Sequence, residues 1–439
     1  MPSKSQAKTD GSASQGGEKS FWSKPEHWFW FVIITIETQP LPSILFAGSH
    51  GYDWLSEFVG AASLVYLLAP ARGKIHYLKL IWPFWAYLAY CAMDSLLNPD
   101  PLLSLKTLGV FTLTAAPALV MGLRLRPIDL CRVAALVLIV GCALSAVVSL
   151  ALPSVGTMPS GTEAGVYQIG GWKGLYTHKN HLGHIAGLTF GAMLLTGRGL
   201  FKDIRWWIVG LAAAAICMFG AKSSTAYVLA AALPVFYFAV AKPRGVLRYF
   251  SIFFSCLVFF TLLLFRDDIV HFALGLLGRN SSLSGRTDIW LHAGEMIMQR
   301  PVFGGGFGFS ASDSYHEAIT ARFGVAYTHN EYLDLLLNIG AVGLILNLSL
   351  LGYAAWQSWR RRPSESTAMA RNFLTLLLFG VVISGWSEGH GVEVTQVMML
   401  SLFGLFGVAM GEARAARQSR PSRARSRSAD LTAQAPQAT

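Results

Sequence analysis

The chain reads SGRTDIW from Ser284 to Trp290, PVFGGGFG from Pro301 to Gly308 and THNEYLDLLL from Thr328 to Leu337. These three motifs lie in the longest polar interval between apolar segments, which runs from Arg266 to about Asn338. The remainder of the sequence is best understood as the frame that holds this interval in place.

Arg286 opens an amphipathic helical pattern whose apolar residues share one face: Ile289, Trp290, Ala293, Met296 and Ile297. Pro301 ends that pattern, and the four glycines after it allow tight backbone turns. His329 and Asn330 stand where the chain re-enters an apolar segment, at the boundary between water and lipid. A cation and a histidine at that boundary indicate a site for a membrane-tethered anionic substrate.

The composition favours a membrane protein over soluble domains. Hydrophobic residues make up 53% of the 439 residues and charged residues only 13%, and the mean hydropathy is +0.45. Repeated apolar runs of roughly 18–22 residues are typical of helices that cross a bilayer. The net charge of +11 is concentrated in short connections and an Arg-rich tail. This pattern is typical of membrane orientation, so nucleic acid is not expected as a partner.

The apolar runs predict an all-α bundle of about twelve membrane-spanning helices, among them spans at 77–97, 247–265 and 332–355. Basic residues alternate between connections, so both termini are expected in the cytoplasm and the 266–331 interval outside. The predicted organisation is a disordered N-terminal tail at 1–27, nine spans at 28–265 and an outer loop that carries the site at 266–331. Three further spans at 332–411 and a basic disordered tail at 412–439 follow.

Three further outer elements carry polar residues. Lys179 and Asn180 stand at a helix entry, where free backbone N–H groups and a lysine together favour an anion. Lys222 precedes Ser223–Thr225 in a short turn, where an ordinary interfacial lysine and a helix cap are the alternative. Glu388 lies at another outer end, where a tight turn with solvated charges is the alternative.

The sequence does not favour a metal site or a disulfide framework. His178, His181 and His184 are spaced three apart, but the first and third would diverge on a helix and no acidic residue or cysteine completes a set. The five cysteines lie in or beside apolar segments without paired spacing. We therefore expect neither a metal nor another cofactor.

Arg286 and His329 each have an ordinary alternative, an exposed loop arginine and a helix-capping histidine. Their combination with a Gly-rich turn and Asn330 favours a functional site over these two alternatives. Arginine grips phosphate oxygens with a planar fork, and histidine takes a proton near neutral pH.

In this order, the motifs THKNHLG, KSST, GRTDIW with PVFGGGFG, and HNEYLDLLLNIGAVG resemble the O-antigen ligase/polymerase superfamily. Within it, they are most similar to exopolysaccharide polymerases of the ExoQ type. The likeness of the motifs runs from about Gly170 to Ala355. It implies a multi-pass bacterial inner-membrane protein with a large periplasmic loop before its tenth span.

The resemblance implies inverting, metal-independent glycosyl transfer from a polyprenyl-diphosphate-linked oligosaccharide to an acceptor sugar hydroxyl. The essential arginine and histidine of such ligases correspond to Arg286 and His329, the expected catalytic residues. A second family arginine would fall in the KSST turn, where Lys222 is the nearest cation; this departure favours a polymerase over a ligase. Lys179, Asn180, Lys222, Asn330 and Glu388 are the expected substrate-binding residues.

Membrane lipid is an expected contact, and a chain-length regulator and polysaccharide export proteins are possible partners. The main alternatives are an O-antigen ligase that acts on a lipid A-core acceptor and, in a different class, a flippase for lipid-linked oligosaccharides. A flippase predicts charged residues buried within spans, for which Glu37, Glu57 and Asp94 are the candidates.

Overall fold

The fold is seen in a computed structural model, which describes residues 21–38, 51–71, 73–98, 100–159, 170–201, 203–241, 286–312, 315, 319–321, 323, 328–360, 364–389 and 392–418. In this part of the chain the regular structure is helical, with one isolated bridge between Thr157 and Trp172. The helices are α1 Pro25–Thr38, α2 Gly51–Leu68, α3 Lys74–Leu80, α4 Trp82–Leu96, α5 Pro101–Arg124, α6 Pro127–Ala151, α7 Lys179–Leu200, α8 Ile204–Ala221, α9 Ser224–Ala241, α10 Arg286–Ile297, α11 Glu331–Trp359, α12 Glu365–Ser384 and α13 Val392–Gln418.

Several helices begin where the sequence supplies a start signal. Proline stands at the first position of α5 and of α6, where a missing N–H costs nothing. The Asp100 side chain accepts a hydrogen bond from the Leu103 N–H at 3.1 Å and so caps α5. The Ser364 hydroxyl caps α12 in the same manner through the Thr367 N–H. These signals place the helices close to the predicted apolar segments.

Six of the described helices are long and apolar enough to cross a membrane: α5, α6, α8, α11, α12 and the 394–411 part of α13. The protein is therefore a multi-pass membrane protein. The α13 window is 89% buried inside the bundle, whereas that of α8 is only 33% buried. Helix α13 thus lies at the centre, and α8 presents apolar side chains such as Ile208 and Phe219 at the periphery.

Two predicted spans are interrupted. The segment expected at 77–97 is divided at Ile81 between α3 and α4, with Pro83 in the first turn of α4. The segment expected at 332–355 contains Gly340, whose φ of 64° and ψ of −171° break α11 into two pieces. The span expected at 247–265 and residues 266–285 of the outer loop lie outside the described residues, so the count of about twelve stays a prediction.

The break at Gly340 is filled by the Gly-rich turn. Interrupting a helix leaves carbonyl and N–H groups without their usual partners, and a buried group of that kind is costly. The N–H groups of Gly305 and Gly306 donate to the carbonyls of Leu337 and Asn338 at 2.7 and 2.8 Å. On the other side of the break, the N–H groups of Ala341 and Val342 donate to the carbonyls of Pro301 and Val302, at 2.9 and 3.2 Å.

Helix α4 completes this junction. The Tyr90 hydroxyl donates to the Ile339 carbonyl at 2.8 Å, and the Arg300 guanidinium donates to Asn98 Oδ1 at 2.9 Å. The glycines are required here because a Cβ on Gly340 would lie 2.3 Å from the Val302 carbonyl oxygen. The PVFGGGFG motif therefore serves as the backbone partner of a broken helix, and it fixes the short piece of α11 that follows His329.

Candidate functional site

The connection between α12 and α13 is the point at which the separate motifs meet. Glu388 Oε1 accepts hydrogen bonds from Asn180 Nδ2 and from Arg286 Nη2. Its other oxygen, Oε2, lies 2.6 Å from His329 Nδ1. Residues that are far apart in sequence thus share one carboxylate at one end of the bundle.

Glu388 is buried and charged. Its side chain is only 5% exposed. Burial alone raises the pKa of this carboxyl, but the hydrogen bond and charge of His329, the charge of Arg286 and that of His184 outweigh burial and bring its pKa to about 2. The carboxylate is therefore anionic at neutral pH and holds its cationic neighbours in fixed positions.

Arg286 is the first residue of α10, and its guanidinium is fixed at two points. Nη1 donates to the Ser387 carbonyl at 2.7 Å, while Nη2 forms the ion pair with Glu388. The side chain remains 21% exposed, so part of it can be reached by a ligand. Ile289 and Ala293 on the same helix are buried, as the amphipathic pattern predicts, and they keep α10 in place.

His329 is held in a conformation that sets its chemistry. Its φ of 54° is in the left-handed region, which a residue with a side chain adopts at a cost of about 1–3 kcal/mol when the surroundings fix it. An anionic Glu388 selects the tautomer with its proton on Nδ1, and that leaves a lone pair on Nε2. Among the described residues, Nε2 has no hydrogen-bond partner, and the ring is 23% exposed.

Asn330 caps the helix that follows His329. Its Oδ1 accepts from the N–H groups of Tyr332 at 3.0 Å and Leu333 at 3.2 Å. The Thr328 hydroxyl accepts from the Asn330 N–H at 3.1 Å and donates to Asp334 at 2.7 Å. Asn330 is 2% exposed. Its cap hydrogen bonds give it a positioning contact, in addition to the substrate-binding role expected from the sequence.

The THKNHLG motif forms the beginning of α7. His178 Nδ1 accepts from the Asn180 N–H at 3.2 Å and caps the helix. Burial is the main reason why the pKa of His178 falls to about 4, with the charges of His181, His329 and Lys179 adding to the effect. The charge of Lys179 interacts with those of Glu388, Lys222 and Arg286. Lys179 therefore lies at the same site as the other cations.

The KSST turn joins the site through Thr225. Its hydroxyl lies 2.8 Å from the Ser387 hydroxyl, next to Glu388. Lys222 has a φ of 51° and ends α8 with its side chain exposed. A Cβ on Gly183 of α7 would lie 2.4 Å from Ser223, so α7 and the turn are in close contact. This packing keeps Lys222 beside Lys179.

Four helix N-termini converge on the 385–388 connection. They belong to α7, α9, α10 and α11, and they contact it through Asn180, Thr225, Arg286 and, for α11, the Glu331 N–H, which donates to the Gly385 carbonyl at 2.7 Å. Each N-terminus carries the equivalent of about half a positive charge. Together with three cationic side chains against one carboxylate, this arrangement suits a multiply charged anion.

The structure brings together Arg286, His329, Lys179, Asn180 and Glu388, and the turn that carries Lys222 adjoins them. Sequence reasoning missed Ser387 and Thr225, which position the loop, and Gly340, which breaks α11. Gly340 follows the apolar run LDLLLNI, where an isolated glycine within a helical pattern is the available signal. In the described part of the chain no three His, Cys, Asp or Glu side chains are grouped to hold a metal ion.

Comparison with known proteins gives two matches. Residues 209–348 match the O-antigen ligase family. The chain is also similar to the exopolysaccharide production protein ExoQ of Rhizobium meliloti (strain 1021), with 28% identity over 325 residues that cover 70% of each chain. The resemblance inferred from the motifs is thereby confirmed. The family match contains Lys222, Arg286 and His329 but ends before Glu388.

Proposed function

Starting from its relationship to the O-antigen ligase/polymerase superfamily, and to ExoQ-like proteins within it, we propose that this protein is a polysaccharide polymerase. It transfers a polyprenyl-diphosphate-linked glycan to an acceptor sugar hydroxyl at the periplasmic face of the bacterial inner membrane, with both termini in the cytoplasm. The observation that carries the proposal is the convergence of four helix N-termini and three cationic side chains beside a histidine.

The donor diphosphate binds at the cationic side of the site. Arg286, Lys179 and Lys222 hold its oxygens and stabilise the negative charge that grows on them as the bond to the sugar breaks. The arginine does so through its planar guanidinium, and the helix N-termini add favourable dipoles. Because these groups supply the positive charge, the reaction needs no metal ion.

His329 serves as the general base. Its Nε2 takes the proton from the acceptor hydroxyl as the oxygen forms a bond to the anomeric carbon. The bond between that carbon and the phosphate oxygen breaks, and its electron pair leaves with the polyprenyl diphosphate. Attack from the face opposite the leaving group inverts the anomeric configuration. Glu388 keeps the lone pair on Nε2 and stabilises the imidazolium as it forms.

Asn180 and Asn330 act as positioning residues in this scheme. The Asn180 amide holds Glu388 Oε1, and Asn330 caps the helix that begins after His329. These contacts hold Glu388 and the start of α11 in place for the reaction.

An O-antigen ligase is the nearest alternative, since the matching family model carries that description. It would use the same donor chemistry with a lipid A-core acceptor. The lack of an arginine in the KSST turn favours the polymerase.

Reconstitution tests the proposal. The purified protein in lipid nanodiscs, given the polyprenyl-diphosphate-linked repeat unit of the producing strain and EDTA, should extend single repeats into a ladder of longer glycans. NMR of the product should show an inverted anomeric linkage. A preparation that binds the donor but joins no sugars, with or without divalent cations, would contradict the proposed reaction.

A further inference from the structure

Three aromatic side chains contact one another and come from the segments that carry Arg286, His329 and Glu388. The rings of Trp290 and Trp386 meet edge to face with their centroids 6.2 Å apart, and Tyr332 adjoins Trp386 at 6.4 Å. We call these three residues the aromatic wall. All three side chains are half-buried.

The residues of the aromatic wall lie close in sequence to Arg286, His329 and Glu388. Trp290 lies one helical turn after Arg286 and therefore on the same face of α10. Its indole N–H donates to the Thr328 carbonyl at 2.9 Å, directly before His329. Trp386 stands two residues before Glu388, and Tyr332 is three residues after His329. The wall thus flanks both the cation and the base.

The polar atoms of the wall orient its rings. The Trp290 N–H is bound to Thr328, and the Tyr332 hydroxyl donates to the Val382 carbonyl, so both rings are held in place. In the part of the chain that the structure describes, the Trp386 N–H makes no hydrogen bond. A half-buried indole with a spare donor offers an apolar face and one polar contact.

A sugar ring matches those properties. Its C–H faces are apolar, whereas its hydroxyl groups need hydrogen-bond partners, and binding sites for such ligands combine aromatic surfaces with a few placed polar groups. We propose that the aromatic wall is the subsite for the acceptor sugar, with Trp386 as its main contact. This inference rests on the proposed glycosyl transfer at His329.

The subsite explains how the acceptor reaches the base. The donor diphosphate occupies the cationic side, so the acceptor must approach His329 Nε2 from another direction. A ring stacked on the wall lies next to His329 and can direct one hydroxyl to Nε2. The wall then contributes to acceptor affinity and to the choice of hydroxyl, while the cations contribute to donor affinity.

Binding measurements with two probes test the inference. The acceptor probe is a set of single-repeat oligosaccharides from a partial acid hydrolysate of the producing strain's polysaccharide, and the donor-site probe is inorganic pyrophosphate. Full-length protein in nanodiscs is titrated with each probe and followed by saturation-transfer NMR or calorimetry. Trp386→Leu should weaken oligosaccharide binding about tenfold and leave pyrophosphate binding unchanged.

Two further variants complete the design. Trp386→Phe retains a ring and should recover most of the affinity, whereas Trp356→Leu, at an exposed tryptophan on α11, should bind both probes as the wild type does. If Trp386→Leu also loses pyrophosphate binding, Trp386→Met provides the test with a flexible apolar replacement. Wild-type oligosaccharide affinity in a Leu or Met variant that binds pyrophosphate normally would overturn the subsite.

The outcome is separable from that of the proposed function. Loss of oligosaccharide binding in Trp386→Leu, together with a wild-type protein that joins no sugars, would support a glycan-binding wall but refute the polymerase. A wild-type protein that polymerises while Trp386→Leu retains full acceptor affinity would support the polymerase and refute the wall.

Discussion

His329 Nδ1 lies 2.6 Å from Glu388 Oε2, and the other oxygen of the same carboxylate holds Arg286. One buried anion therefore sets the ring of the proposed base and the guanidinium of the proposed phosphate ligand at the same time. Arg286 and His329 lie 43 positions apart in the sequence, and their shared contact with Glu388 makes them a single site.

Arg286→Lys tests the geometry of the phosphate grip. Lysine keeps the charge but cannot contact Ser387, Glu388 and a phosphate oxygen together, so polymer synthesis should fall roughly 10- to 100-fold. Arg205→Lys, at an exposed arginine in the first turn of α8, is the matched control and should be silent. Equal polymer yield from Arg286→Lys and the wild type would show that only a diffuse positive field is needed.

Glu388→Gln tests the role of the buried carboxylate. A neutral amide cannot select the His329 tautomer or stabilise an imidazolium, so turnover should fall while pyrophosphate binding is retained. Turnover at the wild-type rate in this variant would remove Glu388 from the mechanism.

The stability difference between the wild type and Glu388→Gln should decrease at low pH. The folded pKa of Glu388 is about 2, below its ordinary value of 4.5, so its stabilising contribution is present above about pH 4.5 and is lost as the pH falls toward 2. The difference in Tm between wild type and Glu388→Gln should persist at about pH 5 and shrink as the pH falls below it. A difference that disappears near pH 6 would contradict the depressed pKa.

Gly340→Ala tests the break in α11. At its φ of 64° and ψ of −171°, a side chain is strongly disfavoured, and its Cβ would collide with the Val302 carbonyl. We expect lower thermal stability and loss of polymer. Gly352→Ala on the same helix meets nothing within 4 Å and should retain both. Normal activity in Gly340→Ala would show that the break does not position His329.

Topology can be tested by fusion reporters. A reporter after residue 300 should give a periplasmic signal and one after Arg362 a cytoplasmic signal, because basic connections alternate along the chain. A cytoplasmic signal at residue 300 would place the site on the cytoplasmic side of the membrane and contradict the proposed periplasmic reaction.

The sequence was sufficient to predict the membrane-spanning helical class, and it singled out the cations as candidates. Apolar runs identify spans directly, and Arg286, Lys179 and His329 stand at boundaries where charge is otherwise rare. What a single sequence could not show is which outer ends are neighbours. The pairing of Glu388 with Asn180, 208 positions away, depends on how α7 packs against α12, where a Cβ on Gly380 of α12 would lie 2.3 Å from Leu188 of α7.

The broken helix is a second example. Residues 332–355 read as one continuous span because Gly340 alone is a weak signal within an apolar run. Its effect depends on the backbone groups of residues 301–306, which come from a motif that the sequence suggests only as a set of turns. Hydrogen bonds between backbones leave no residue-specific pattern, so this junction could be recognised only in three dimensions.

The central claim is that His329 is the base that joins one glycan to another. The direct measurement is the size of the lipid-linked glycans extracted from a strain whose only copy carries His329→Ala, with His292→Ala, at a histidine on α10, as the control. We expect single repeats on the polyprenyl carrier, facing the periplasm, in His329→Ala and normal polymer in His292→Ala. Polymer of normal length from folded, membrane-inserted His329→Ala would contradict the claim, and long polymer retained on the carrier would identify a ligase instead.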